Sequence, residues 1–179
     1  MKIAILAGSN RKQSTSTMLA RYLQSYIERK GHLVQFIDLH QTQLPHYSPD
    51  EDASQYEAVL HMQSEIRSAD AAILCSPDYH GSVSGVLKNA LDYLDAEHFD
   101  GKAVLSVTSS GGAVGVSPLQ QLQTIVRNVH GINCPEWLSI GGEQRRFDEN
   151  GAPQDARVLA RVERTLNYFL TLAGKLRGI

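Results

Sequence analysis

The sequence predicts a parallel α/β sandwich of five strands and five helices, and three observations predict it. Short runs that are apolar on both faces alternate with segments whose apolar residues recur at helical spacing. Parallel neighbours need a helical crossover between them, and each pair of runs here encloses one. Three unusual loops follow the first, third and fourth runs, and a parallel sheet brings such loops to one edge, where ligands bind.

The first strand is Lys2 to Ala7, and its unbroken apolar character suits the middle of a sheet. From about Thr15, Leu19, Tyr22, Leu23, Tyr26 and Ile27 mark a helix with Ser14 or Thr15 as cap and Gly31 as stop. His32 to Leu39 reads as the second strand. A long connection, His40 to Asp52, carries Pro45, Tyr47 and Pro49, and a second helix from Ser54 to Ser68 is marked by Tyr56, Val59, Leu60 and Ile66. Gln63 breaks that apolar face.

The third strand, Ala71 to Cys75, ends in Ser76-Pro77-Asp78-Tyr79-His80-Gly81-Ser82, and a helix capped near Ser82 or Ser84 follows through Leu87, Ala90, Leu91 and Leu94. Ala103 to Thr108 is the fourth strand. After the loop Ser109 to Gly115, a helix shows Leu122, Ile125, Val126 and Val129 on one face. Ile132 to Ile140 is the fifth strand, placed at an edge by Pro135. A polar loop, Gly141 to Pro153, holds Arg145 and Arg146, and the last helix starts near Gln154.

Length and composition narrow the function. The 179 residues suit one domain spanning 1–179, and 42% hydrophobic with 20% charged residues is the balance of a soluble globular chain. No apolar stretch approaches the roughly 18 to 20 residues of a membrane span, and the first run lacks a signal peptide's length and cleavage pattern. Lys+Arg 17 against Asp+Glu 19 leaves a net charge of -2, without the basic footprint that nucleic acid or an anionic membrane demands. Cys75 and Cys134 stand outside any CxxC pair or ligand cluster, so no metal site is expected, and two buried thiols fit a cytoplasmic protein.

The first loop is rich in hydroxyls: Ser9, Ser14, Thr15, Ser16 and Thr17 surround Arg11 and Lys12 where a helix begins. Such a loop cradles an anion, because a helix N-terminus adds free N–H groups and the positive end of its dipole. The alternative is that the hydroxyls only cap the helix. With Gly8 as its one glycine, the loop matches neither G-x-G-x-x-G nor G-x-x-x-x-G-K-[ST], so a terminal monophosphate fits better than a pyrophosphate.

The second loop offers Pro77, Asp78, Tyr79, His80 and Gly81 to the edge of a planar ring, or forms a plain tight turn with exposed aromatics. His80 is a candidate acid–base residue without a visible partner. Ser109, Gly111 and Gly112 of the third loop are placed to bring backbone N–H groups to the same ring. One phosphate and one flat heterocycle at a single sheet edge describe FMN better than ATP or a dinucleotide.

With these residues in view, the chain resembles the NADPH-dependent FMN reductases, flavodoxin-like enzymes that include flavin, quinone, azo-dye and chromate reductases. The pattern G-S-x-R-x-x-S is matched by Gly8, Ser9, Arg11, Ser14 and Ser16, with Thr17 among the small polar residues that follow. P-x-Y and then G-x-L-K-N-x-L-D are matched by Pro77, Tyr79, Gly85, Leu87, Lys88, Asn89, Leu91 and Asp92, and the glycine pattern after the fourth strand by Ser109, Gly111 and Gly112. Asp78 and His80 stand where many members carry Glu and Asn, and His at that place resembles the azo-reducing branch.

The resemblance implies a five-stranded sheet in the order 2-1-3-4-5 and tightly bound FMN, its phosphate in the first loop and its ring beside the second and third. It implies NADPH or NADH as co-substrate, ping-pong transfer to a small electron acceptor, and a homodimer or homotetramer with Leu91, Tyr93 and Leu94 facing a partner, unless the leucines fill their own core. The competing expectation is a flavodoxin-type electron carrier, though carriers usually have strongly acidic surfaces and a Thr-rich loop without Arg11.

Overall fold

A computed structural model describes residues 1–178 of the chain. In order, β1 (Lys2–Ala7), α1 (Thr15–Arg29), β2 (Leu33–Asp38), α2 (Glu57–Ser68), β3 (Ala71–Pro77), α3 (Gly85–Asp92), α4 (Ala96–Phe99), β4 (Ala103–Ser110), α5 (Val116–Asn128), β5 (Ile132–Asn133), β6 (Leu138–Gly141) and α6 (Ala156–Arg177) follow one another. All strand pairs are parallel, in the order β2-β1-β3-β4-β5, and β6 also pairs with β4. The expected order and layers are met, as in flavodoxin-like folds.

Alternating strand residues feed two cores, which is why the strands read as apolar on both faces. Ile3, Ile5, Ile73, Leu105 and Val107 pack with α1 and α6. Ala4, Leu6, Ala72, Leu74 and Val104 pack with α2, α3 and α5. At about 1.5–3 kcal/mol for each large apolar side chain removed from water, these two layers supply the main drive for folding. Both cysteines are free and buried, and burial pushes the Cys75 thiol well above its usual range, so it is no nucleophile.

The expected fifth strand is broken. Five residue steps from Asn133 to Leu138 face only three from Val104 to Val107 on β4, so Pro135, Glu136 and Trp137 loop out into solvent. Cys134 still donates its N–H to Val104 O at 2.8 Å, and Pro135, without an N–H, ends the ladder there.

The other departures are local. The second helix is preceded by a 3-10 turn, Ala53–Gln55, which Asp52 caps through the Ser54 N–H. Leu60 is 44% exposed while Met62 takes the core position, and Gln63 donates to Tyr93 O at 2.8 Å. Leu91, Tyr93 and Leu94 are buried within the chain's own second core rather than offered to a partner. Among the described residues no helix is long and apolar enough to cross a membrane.

Candidate functional site

The three loops expected at one edge are bonded to one another there. Gly8 donates its N–H to Cys75 O at 2.8 Å, and the Ser84 hydroxyl, which also caps α3 by accepting from Leu87 N, donates to Gly8 O. Only glycine fits at position 8: a Cβ there would stand 2.6 Å from Leu87 Cβ and 2.7 Å from Cys75 O. Across the same edge Thr15 Oγ1 lies 2.7 Å from Ser109 Oγ, and Asp78 N donates to Ser109 O at 2.9 Å. Ser109 therefore ties both other loops to the end of β4.

Within the first loop, Ser9 is buried and its hydroxyl accepts from Arg11 N at 3.2 Å. The Ser14 and Ser16 hydroxyls lie 2.7 Å apart. Ser14 is the N-cap of α1, yet no side chain caps that helix and no acidic residue stands in its first turn. The N–H groups at its start are left free, where the dipole end is positive. The Thr17 hydroxyl is buried without a partner, and among the described residues Arg11 and Lys12 carry no ion pair. This overturns the reading in which the hydroxyls merely cap the helix. Unpartnered donors beside unpaired cations fit a phosphate monoester.

The second loop is a two-residue hairpin. Tyr79 and Ser82 exchange both backbone hydrogen bonds, at 3.1 and 3.2 Å, and the two residues between them have positive φ, 56° at His80 and 77° at Gly81. That is the twist of a type I′ turn. Asp78 Oδ1 accepts from Gly81 N at 2.8 Å, so the carboxylate holds the turn and is not a partner for the His80 ring. Tyr79 is 41% exposed, and His80 is exposed. Pro77 is buried at the end of β3, directly below the turn.

In the third loop Gly112 N donates to Ser110 Oγ at 3.2 Å, and Gly111 and Gly112 lie open at the surface. The close approach that glycine permits falls at Gly141, where a Cβ would collide with the Gly112 and Ala113 carbonyls. Thr108 Oγ1 donates to Gly115 O, and Gly115 N to Ser139 Oγ, each at 2.9 Å, which fixes the far end of the loop to β4 and β6.

All thirteen residues expected from the sequence thus lie at one edge, in the three loops or in the strand ends and first helical turn that border them. Gln121 and Ser139 also hold those loops and were not expected, while Asn89 of the G-x-L-K-N-x-L-D pattern holds the long connection. Gln121 grips the Tyr79–Ser82 turn from α5. Ser139 anchors the third loop. Asn89 uses both ends of its amide, accepting from Tyr47 N and donating to Pro45 O at 2.8 Å each, to hold the long connection beside a cleft of about 400 Å³ lined by Asn10, Leu39, His40 and Val86. Arg146 pairs with Glu143, and Arg145 donates to Gly142 O at 3.3 Å.

Comparison with known proteins places the chain in a family. The profile of the family described as NADPH-dependent FMN reductase matches residues 1–145. The chain is 38% identical over 143 residues to the FMN-dependent NADPH-azoreductase of Staphylococcus saprophyticus, covering 78% of this chain and 76% of the relative. It is 32% identical over 160 residues to the NADPH azoreductase of Bacillus sp. strain OY1-2, covering 89% and 86%. Among solved structures, the flavoenzyme NAD(P)H:(acceptor) oxidoreductase FerB of Paracoccus denitrificans superposes with TM-score 0.84 at 25% identity, covering 97% of each chain.

Proposed function

The chain belongs to the NADPH-dependent FMN reductase family, and from that premise we propose which residues hold the cofactor and which acceptors it serves. Its activity is that of an NAD(P)H-dependent flavin oxidoreductase, with FMN as cofactor and NADPH as co-substrate. The chemistry supplied by bound FMN is hydride acceptance from NAD(P)H and delivery of electrons to a second molecule.

The protein's part is binding, orientation and electrostatics. The free N–H groups at the start of α1, the Thr17 hydroxyl and Arg11 hold the phosphate, and Ser9, Ser14 and Ser16 set the shape of the loop around it. Pro77, Asp78, Tyr79, His80 and Gly81 border one part of the flavin ring, and Ser109, Gly111 and Gly112 another. Preorganised N–H donors in these two loops favour the more negative, reduced ring. Asp78 holds the turn rather than the His80 ring, and the part proposed for His80 is its backbone N–H and its bulk. The observation that carries this assignment is the uncapped start of α1 with the orphaned Thr17 hydroxyl beside it.

The acceptors proposed are azo compounds and quinones, supported by the azoreductase names of relatives at 32 to 38% identity and by the open, aromatic-bearing turn at Tyr79. A second copy of the chain is the proposed partner, in a homodimer or homotetramer. The free buried thiols support a reducing, cytoplasmic setting. Purified protein is expected to carry a yellow flavin spectrum, to bleach when NADPH is added without air, and to consume NADPH steadily when an azo dye or quinone is present. A coloured protein inert to NADPH is an electron carrier, and that result overturns the proposal.

A further inference from the structure

The side-chain amide of Gln121, on α5, is spent entirely on the turn that carries Tyr79 and His80. Its Oε1 accepts from the Ser82 hydroxyl at 2.8 Å and from Val83 N at 3.2 Å, and its Nε2 donates to Gly81 O at 3.2 Å. The two partners fix the amide's orientation, because Val83 N–H can only donate and Gly81 O can only accept. Three bonds from one side chain thus grip the second half of the hairpin, and Asp78 Oδ1 grips it from the other side at Gly81 N.

A clamp of this kind has something to hold. His80 sits at φ 56°, a left-handed conformation that costs a side-chain-bearing residue about 1 kcal/mol or more and persists where its surroundings over-determine it. Tyr79 N, Gly81 N, Ser82 N and Val83 N are all bonded within the protein. Among the described residues the His80 N–H has no acceptor, and it stands at the exposed tip of the turn. One free donor, at one strained residue, is therefore aimed by a turn that α5 holds in place.

We propose that Gln121 is a positioning residue for the flavin site: by fixing the Tyr79–Ser82 hairpin it fixes the one free N–H that the turn offers to the ring. Its functional half rests on the flavin reductase reading above. Gln121 touches neither cofactor nor substrate in this role, and it acts through Gly81, Ser82 and Val83.

Two variants and two measurements test this. Gln121→Leu keeps the bulk and removes all three bonds. In the flavin-free protein it is expected to speed hydrogen exchange at the Val83 amide by about tenfold, and in the loaded protein to weaken FMN binding by about tenfold, as expected when about three modest hydrogen bonds are lost and the turn relaxes. Gln121→Glu keeps both acceptor contacts but sets a carboxylate oxygen against Gly81 O. Its FMN affinity relative to wild type is expected to recover as pH falls from about 7 towards the ordinary glutamate range of about 4 to 5, where the protonated acid can donate to Gly81 O. Should Gln121→Leu not fold, Gln121→Ala, which also removes all three bonds, carries both measurements. Unchanged Val83 exchange overturns the clamp. Faster exchange with unchanged FMN affinity overturns the positioning role while the reductase reading stands. A wild-type protein that takes up no flavin overturns that reading and the role together.

Discussion

Thr15 Oγ1 lies 2.7 Å from Ser109 Oγ, a bond between residues 94 apart in sequence that fastens the start of α1 to the end of β4. Because Ser109 O also accepts from Asp78 N, one residue of β4 joins the loop proposed to hold the phosphate to the turn proposed to border the ring. The distance between the two halves of the proposed flavin site is thereby set by hydrogen bonds and not by loop packing alone. Thr15→Val and Ser109→Ala are each expected to weaken FMN binding by a few-fold. Because each removes the same bond, the double variant should be no worse than either single one, with a coupling of about 0.5–1.5 kcal/mol. Fluorescence titration of FMN against all four proteins measures it, and strict additivity contradicts the linkage.

The proposed phosphate loop makes a prediction with opposite signs for stability and binding. The buried Thr17 hydroxyl has no partner in the flavin-free protein, which costs on the order of 1–3 kcal/mol. Thr17→Val keeps the shape and removes that cost, so the empty protein should melt higher while FMN binds more weakly. Arg11→Ala should weaken FMN binding by about 10- to 100-fold, the range for a hydrogen bond to a charged group. Riboflavin, which lacks the phosphate, should bind wild type and both variants alike. Equal losses for FMN and riboflavin would place the phosphate elsewhere.

How much of this was legible follows from the chemistry of each part. β1, β3 and β4 could be read because alternate residues enter two different cores, leaving no polar interruption. The loops could be read because Ser9 to Thr17 concentrate hydroxyls at one strand end. The break in the fifth strand was half visible in Pro135, but the two looped-out steps depend on the spacing along β4, which no local pattern encodes. The segment Asp95 to Phe99 hid α4, since its capping box closes through the His98 ring rather than a Glu or Gln. Gln121 was invisible because a glutamine amid a polar helix face carries no mark of partners about forty residues earlier.

Position 8 is a packing constraint that doubles as a site constraint. A methyl group on Gly8 meets Leu87 Cβ and the Cys75 carbonyl well inside contact distance, and neither can withdraw, one being on α3 and the other on β3. Gly8→Ala is expected to destabilise the fold by roughly 1–3 kcal/mol, the usual cost of overpacking. It should also weaken FMN binding, because the bonds from Gly8 N to Cys75 O and from Ser84 Oγ to Gly8 O set where the loop begins. Urea unfolding and flavin titration on the same variant check both halves, and wild-type values in either contradict the role.

Lys102 gives the fold a pH dependence whose sign can be worked out. It is 5% exposed immediately before β4, and its Nζ donates to Ile66 O and Arg67 O at 2.7 Å each, satisfying two carbonyls in the last turn of α2. Burial first, and then the nearby Arg177 charge, lower its pKa from 10.5 to about 8. Below about 8 both folded and unfolded states carry the proton, and the cost of the buried charge is fully present. Between about 8 and 10.5 the unfolded state binds more protons than the folded one, so this group adds stability as pH rises. The neutral amine keeps the two N–H donors its carbonyl partners need. The stability of wild type relative to Lys102→Met should therefore be flat below about pH 7 and shift in favour of wild type through that window, which urea titrations at a series of pH values would measure. A difference that stays constant, or that falls as pH rises, means that Lys102 is not held as a costly buried cation.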